Sequence, residues 1–362
     1  MKFFARAILL LVLSVGLHVK AETVVTDQNG RKVVIPDRVN RIAVLIVPGA
    51  SMAVSVDLGA SRLAGIHPGA RIDITEGLLG HMIPATRQIQ ANLAGDGFVP
   101  NVEAILAVNP DIVIQWGDAG SAIVDPIVAL GIPVLTFRYG SGETVAGWQL
   151  LMGQALTGRK ARGEELAARF MQVRKKVAKE VAGVPDGRRP KVLYLHRAHG
   201  NAFQVAGGKT SMDYDITLAG GINLARGLNG FAQISVEQLL LWKPDILLLN
   251  NFEKEMHPGI ILQNPMLSGV PAVRDRRVYL YPQGGFRWDP PSHESLLTWQ
   301  WLQALFHPEM KTSPLREEIV NTYRMLYDYT PTADDLDKVL RMNENGSSLH
   351  YREKFGHVQG RP

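Results

Sequence analysis

Apolar and polar positions along this chain fall into short blocks that predict an alternation of strands and helices. β-Branched runs at 23–27 and 32–35 flank Gln28-Asn29-Gly30. An Asn-Gly pair suits a tight hairpin because both residues tolerate positive φ, and Pro36 ends the hairpin. Continuous apolar runs follow at 42–47, 111–115 and 134–137, with a helical stretch at 102–108 leading into the second. Such runs read as strands buried in a parallel sheet, with helices as the crossovers. From 158 onward the pattern becomes a stripe: Leu166, Phe170, Val173, Val177 and Val181 step by three or four residues while Lys and Arg fill the other faces. At 1.5 Å per residue this is a rod on the order of 35 Å long, enough to join two lobes. Gly183 and Pro185 close it. A second α/β unit is predicted from strands at 191–196, 246–250 and 278–281 and helices at 236–242 and 292–306. The chain therefore divides into a leader at 1–21, an α/β lobe at 22–157, a linking helix at 158–183, a second lobe at 184–343 and a polar tail at 344–362, which is expected to fray.

One phrase occurs twice. VEAILAVNPDIVIQW at 102–116 returns as VEQLLLWKPDILLLN at 236–250, so that Glu103 stands seven residues before Pro110 and Glu237 seven before Pro244. Equal spacing implies equal position in each lobe. The Pro-Asp pairs read as helix stops, and glutamates in a first helical turn complement the helix dipole. That accounts for their helix preference but not for both lobes choosing the same site.

Composition narrows the setting. Lys2 and Arg6 precede an apolar run at 7–17, and Val19-Lys20-Ala21 offers small residues to a signal peptidase, so cleavage after Ala21 and export to a periplasm are expected. A membrane anchor would need roughly 18 to 20 apolar residues. Cysteine is absent, which removes disulfides, thiolate metal ligands and lipid attachment. Removing Lys2, Arg6 and Lys20 takes the formal charge from +5 to +2, too weak to argue for a nucleic-acid partner.

Several motifs, in order, carry a resemblance: TDQNGRKVVIP at 26–36 with Arg41-Ile42, PNVE at 100–103 running to Pro110-Asp111, Leu156-Thr157-Gly158 before the long helix, and AGGIN at 219–223. Together they resemble the periplasmic binding proteins of siderophore, haem and vitamin B12 uptake, over nearly the whole chain from Glu22 to about Leu340. The resemblance implies two Rossmann-like lobes joined by one rigid helix, a ligand in the cleft between them, and no enzymatic activity. It further implies that Glu103 and Glu237 match the glutamates that dock on arginines of the two permease subunits of an ABC importer. A monomer with no resident cofactor, carrying metal only inside its ligand, is the expectation.

In open α/β sheets ligands sit beyond the carboxyl ends of strands. That rule selects residues 48–52, including Ser51 and Met52; Trp116 to Asp118; Arg138 and Tyr139; 196–203, including His196, Arg197 and Phe203; and 286–289, including Arg287 and Trp288. Trp116 and Trp288 are expected to face each other across the cleft, with Arg138 and Arg287 pairing oxygens of an anionic chelate. His196 and His199, if helical, could share a metal, and His196 or Tyr139 could ligate haem iron. An iron-siderophore or related chelate is the leading ligand, with haem or cobalamin as the alternative.

Two lookalikes compete. Gly208-Lys209-Thr210 lacks the glycine five residues earlier that a phosphate loop needs, since Phe203 stands there, so no nucleotide site is expected. Gly49-Ala50-Ser51-Met52-Ala53 has the strand-turn-helix setting of a nucleophile elbow, which makes a secreted serine hydrolase using Ser51 the alternative of another class.

Overall fold

The computed structural model describes residues 23–199, 202–253 and 255–356. The leader and its cleavage site lie outside these residues. Strands β1 (Thr23–Thr26) and β2 (Lys32–Ile35) form the expected antiparallel hairpin, with Gly30 at φ 79° in its turn. Asp27 docks the hairpin on the first lobe by accepting from the amide of Thr136 at 3.2 Å and from its hydroxyl at 2.5 Å.

The first lobe is built on a four-stranded parallel sheet of β3 (Ile42–Val44), β4 (Leu63–Ile66), β5 (Ile112–Trp116) and β6 (Val134–Phe137), ordered β4-β3-β5-β6. Around it lie α1 (Gly49–Asp57), α2 (Pro68–Glu76), α3 (Val102–Val108) and α4 (Gly142–Ala155). The linking helix α5 (Lys160–Val181) buries the predicted stripe together with Gly163 and Ala167. It crosses α4 at two glycines: a Cβ on Gly153 would stand 2.8 Å from the Cα of Gly163. The two backbones touch, so the long helix is fixed to the first lobe.

The second lobe comprises β7 (Lys191–His199), β8 (Ala202–Ala206), α6 (Ser211–Leu218), β9 (Ile222–Asn223), β10 (Phe231–Ser235), α7 (Val236–Trp242), β11 (Ile246–Leu249), β12 (Val278–Leu280), α8 (Ser295–Phe306), α9 (Leu315–Tyr327), α10 (Ala333–Val339) and α11 (Tyr351–Phe355). Its strand order is β10-β8-β7-β11-β12, with β9 also paired to β7. The parallel pattern is broken at one side, where β8 runs antiparallel to both β7 and β10. Only two residues separate β7 from β8, too few for the crossover that parallel neighbours require.

The repeated phrase forms the same unit in each lobe. α3 and α7 each span seven residues. They are capped by Asn101 and Ser235, whose side chains accept from the amides of Ala104 at 3.1 Å and Gln238 at 3.3 Å. Both end in left-handed residues, Asn109 and Lys243. The Pro-Asp pairs do more than stop a helix: Asp111 Oδ2 accepts from the amides of Asn40 and Arg41 at 2.6 and 2.9 Å, and Asp245 Oδ2 from that of Lys191 at 2.8 Å. Each aspartate pins the start of the neighbouring inner strand. Glu103 and Glu237 are exposed in the first turns.

The expected fraying of the tail is corrected over residues 344–356. Tyr351 and Phe355 are buried, and Asn345 accepts from the amide of Leu280 at 2.7 Å and donates to its carbonyl at 3.0 Å, closing the edge of β12. One apolar core runs from the first sheet through α5 to α8, α9, α10 and α11, while a smaller one fills the other face of the second sheet. α9 packs against α1, so the lobes are joined by shared core as well as by α5.

Candidate functional site

From β3 the chain goes first to β4 on one side and later to β5 on the other, which leaves an uncrossed crevice at the carboxyl end of β3, the usual ligand position in a parallel sheet. In the second lobe β7 turns directly back into β8, which runs antiparallel to it, and pairs in parallel with β11. A cavity of about 300 Å³ opens at the crevice, with Pro48, Phe98, Trp116 and Tyr139 of the first lobe facing Phe286 and Arg287 of the second. Its aromatic wall is continuous: His67 lies 5.1 Å from Phe98, Phe98 6.3 Å from Trp116, and Trp116 5.5 Å from Tyr139, ring centre to ring centre. His67 caps α2 by accepting from the Gly69 amide at 2.9 Å, and burial lowers its pKa.

Among the described residues Arg287 is the one cation in the cavity wall, and Asp118 of the first lobe is its one carboxylate. Its Nε lies 2.9 Å from Asp73 Oδ1 on α2, and Nη2 donates to Oδ2 at 3.4 Å, long for a hydrogen bond. The guanidinium also stands over Phe252 and Phe286, 5.4 and 5.8 Å from their ring centres. Behind it Tyr194 donates to Asp289 at 2.9 Å. Burial pushes the Asp73 carboxyl up to about 7 against the pull of Arg287, and burial raises Asp289 as well. The floor of the cleft is thus a cluster of one guanidinium and two buried carboxyls.

The loop that carries Arg287 is anchored from behind. Trp288 Nε1 donates to Glu294 at 2.8 Å, Tyr323 and Tyr327 donate to the same carboxylate at 3.1 and 2.5 Å, and Thr298 donates to the Trp288 carbonyl at 2.9 Å. A Cβ on Gly284 would stand 2.2 Å from Glu294 Oε2, so this contact requires glycine. The Leu78 amide reaches across from the first lobe to the Gly284 carbonyl at 2.7 Å.

Of the predicted site residues, Trp116, Tyr139 and Arg287 line this cavity. Trp288 does not: it is 0% exposed and its indole N–H donates to the buried Glu294 of the loop anchor. Ser51 and Met52 lie in the core within α1, and the Ser51 hydroxyl donates to the Pro48 carbonyl at 3.1 Å, so no nucleophile elbow is presented. Phe203 is buried in the smaller core, since its inward-facing position on β8 is apolar. Arg138 is exposed beside the cleft but outside the cavity wall; its amide donates to Gln28 and its carbonyl accepts from Trp148. His196 and Arg197 end the regular pairing of β7 with β11. His196 sits between Phe231 and Phe252, at 4.2 and 4.9 Å, and burial, helped by Arg197 and Arg287, lowers its pKa to about 4. The imidazole is neutral at ordinary pH. Arg197 pairs with Glu253 at 3.2 Å. His196 and His199 lie on a strand and not a helix, so the one-turn spacing that would bring two imidazoles together does not apply. Among the described residues no group of three or more His, Cys, Asp or Glu side chains is arranged to hold a metal. Asp73 and Phe98 were not singled out from the sequence, as neither follows an apolar strand.

The sequence profile of the family described as periplasmic binding protein matches residues 87–284, more than half of the chain. The chain belongs to this family. It is 25% identical over 349 residues to the molybdate-binding protein MolA of Haemophilus influenzae, covering 89% of this chain and 95% of MolA. It is 26% identical over 319 residues to the ferric enterobactin-binding periplasmic protein FepB of Escherichia coli, covering 78% and 90%. A periplasmic solute-binding protein from Veillonella parvula superposes with a TM-score of 0.82 at 27% identity, covering 90% of this chain and 98% of that one. Members of this family are periplasmic binding proteins that serve ABC importers, and no helix among the described residues is long and apolar enough to cross a membrane.

Proposed function

We propose that this binding protein captures an iron-siderophore or a similar bulky metal chelate in the cleft between its lobes and delivers it, as a monomer, to an ABC importer. One observation carries the reading: the cavity wall is mostly aromatic and proline surface with one cation, Arg287, which Asp73 pairs from behind, and one carboxylate, Asp118. A bare tetrahedral oxyanion such as molybdate would call for a ring of N–H and O–H donors. A chelate that hides its metal behind flat, partly apolar arms matches Trp116 and Tyr139, with Arg287 free to turn from Asp73 to an anionic rim. The metal then arrives inside the ligand. Glu103 and Glu237, exposed at equivalent points of the two lobes, are the docking residues for the two permease subunits.

The test is native mass spectrometry of the protein purified from its own periplasm, followed by tryptophan fluorescence titration with ferric siderophores, haemin, cobalamin and molybdate. A ferric chelate that co-purifies and quenches Trp116 supports the reading. Binding of haemin alone, weakened by His196→Ala or Tyr139→Phe, replaces it with haem transport. Binding of molybdate alone replaces it with oxyanion transport.

A further inference from the structure

A second cavity, of about 610 Å³, adjoins the first, and Tyr139 lines both. On its far side stand Lys209, Ser211, Asp213 and Arg226 of the second lobe, facing Tyr139 and Ser141 of the first. The acid of this group is already engaged: Asp213 accepts from Arg226 at 3.0 and 3.3 Å and from Asn223 at 3.0 Å. Nearby Glu143 pairs with Arg174, and Asp215 lies buried behind, accepting from Trp299 at 2.6 Å. The uncompensated charge of the cavity is therefore Lys209, which is exposed and has no hydrogen-bond or ion-pair partner among the described residues.

Lys209 also holds a left-handed backbone, φ 64°, where glycine or asparagine is the usual occupant. Ser211 beside it is 6% exposed, and its hydroxyl has the Met212 thioether at 3.2 Å as acceptor, a weak partner that a better one would displace. Tyr139 and Ser211 line this cavity from opposite lobes, so both hydroxyls border the same space.

We propose that this second cavity is a subsite for a carboxylate arm of the ligand, held by the Lys209 ammonium and the hydroxyls of Ser211 and Tyr139. The core of the chelate would lie against Trp116, and to that extent the subsite rests on the chelate reading. The GKT segment at 208–210 thereby gains a role unrelated to nucleotides: Gly208 lets the chain pass close to the Arg226 carbonyl, 2.4 Å from where a Cβ would stand, and Lys209 follows at the lip of the cleft.

Two measurements separate the subsite from the chelate. In the first, glutarate is titrated into ¹⁵N-labelled protein; amide shifts centred on Lys209, Thr210 and Ser211 that vanish in Lys209→Asn support the subsite whether or not any chelate binds. Asparagine is chosen because it removes the charge while tolerating the left-handed backbone. Shifts that are absent, or that persist in Lys209→Asn, overturn the subsite. In the second, ferrioxamine B and its N-acetyl and N-succinyl derivatives present one ferric core with a cationic, neutral or anionic arm. The succinyl form is expected to bind about tenfold more tightly than the acetyl form, a preference falling to about twofold or less in Lys209→Asn. Equal affinities for the three overturn the subsite. If glutarate binds as expected and none of the three does, the subsite stands and the hydroxamate-chelate reading falls.

Discussion

Asp73 on the first lobe and Arg287 on the second meet across the cleft, with 2.9 Å between Oδ1 and Nε. The contact is close in distance but poorly aligned for hydrogen bonding, so the guanidinium keeps donors to offer a ligand.

Arg287→Ala is therefore expected to weaken binding of an anionic ferric siderophore by about 2 to 4 kcal/mol, measured by calorimetry, because ligand charge would be left uncompensated in a partly dry cleft. Trp288→Ala acts differently. Its main effect is a loss of stability of about 3 to 5 kcal/mol, read in denaturant melts, since it empties a buried site and strips a donor from Glu294. A larger effect of Trp288→Ala than of Arg287→Ala on affinity in fully folded protein contradicts this assignment.

Reversing both exposed glutamates, Glu103→Arg with Glu237→Arg, is expected to abolish uptake in cells while ligand affinity stays as in the wild type. Single exposed charges contribute little, so the double change is the fair test. Normal uptake rules the docking role out.

Closure on ligand is expected to be small. Three separate features tie the lobes: the core shared by α1, α5 and α9, the Leu78 to Gly284 backbone bond, and the Asp73–Arg287 pair. Small-angle scattering with and without ligand should show a change in radius of gyration below about 1 Å. A drop of several ångströms would refute this.

Asp215 gives a pH prediction with a definite sign. Burial pushes its carboxyl up to about 7 from the ordinary 3.8, despite the Trp299 hydrogen bond. Between those values the folded protein holds a proton that the unfolded chain has lost, so this group's contribution to stability falls as pH rises from about 4 to 7. Asp215→Asn removes that dependence. Relative to the wild type, its melting temperature should improve between pH 5 and pH 8, and a constant difference between the two proteins would show that Asp215 titrates normally.

Periodicity made much of the architecture legible: the apolar stripe of α5, the hairpin around Gly30, and the doubled helix-turn-strand unit all follow from local rules. The strand-end rule reached Trp116 and Tyr139 because they lie at or just beyond the ends of β5 and β6, and Arg287 because it lies in the loop that follows β12. It failed for Ser51, Met52 and Phe203, which have the correct place in sequence but point into the cores. Trp288 failed for another reason. Its neighbours suggested a rigid exposed loop, whereas its partner Glu294 and the two tyrosines of α9 converge only in the folded molecule. Asp73 is illegible for the same cause, as the pair it makes spans 214 residues of chain. The antiparallel edge of the second sheet was missed because AFQVA at 202–206 is too short to stand out.

Asn345 seals β12 through both polar groups of Leu280, and Leu349 adds a bond to the Arg276 carbonyl at 2.8 Å. The segment that closes this edge lies 65 residues downstream of Leu280, so a chain cut short before Asn345 would keep the second sheet but leave its outer strand unsealed.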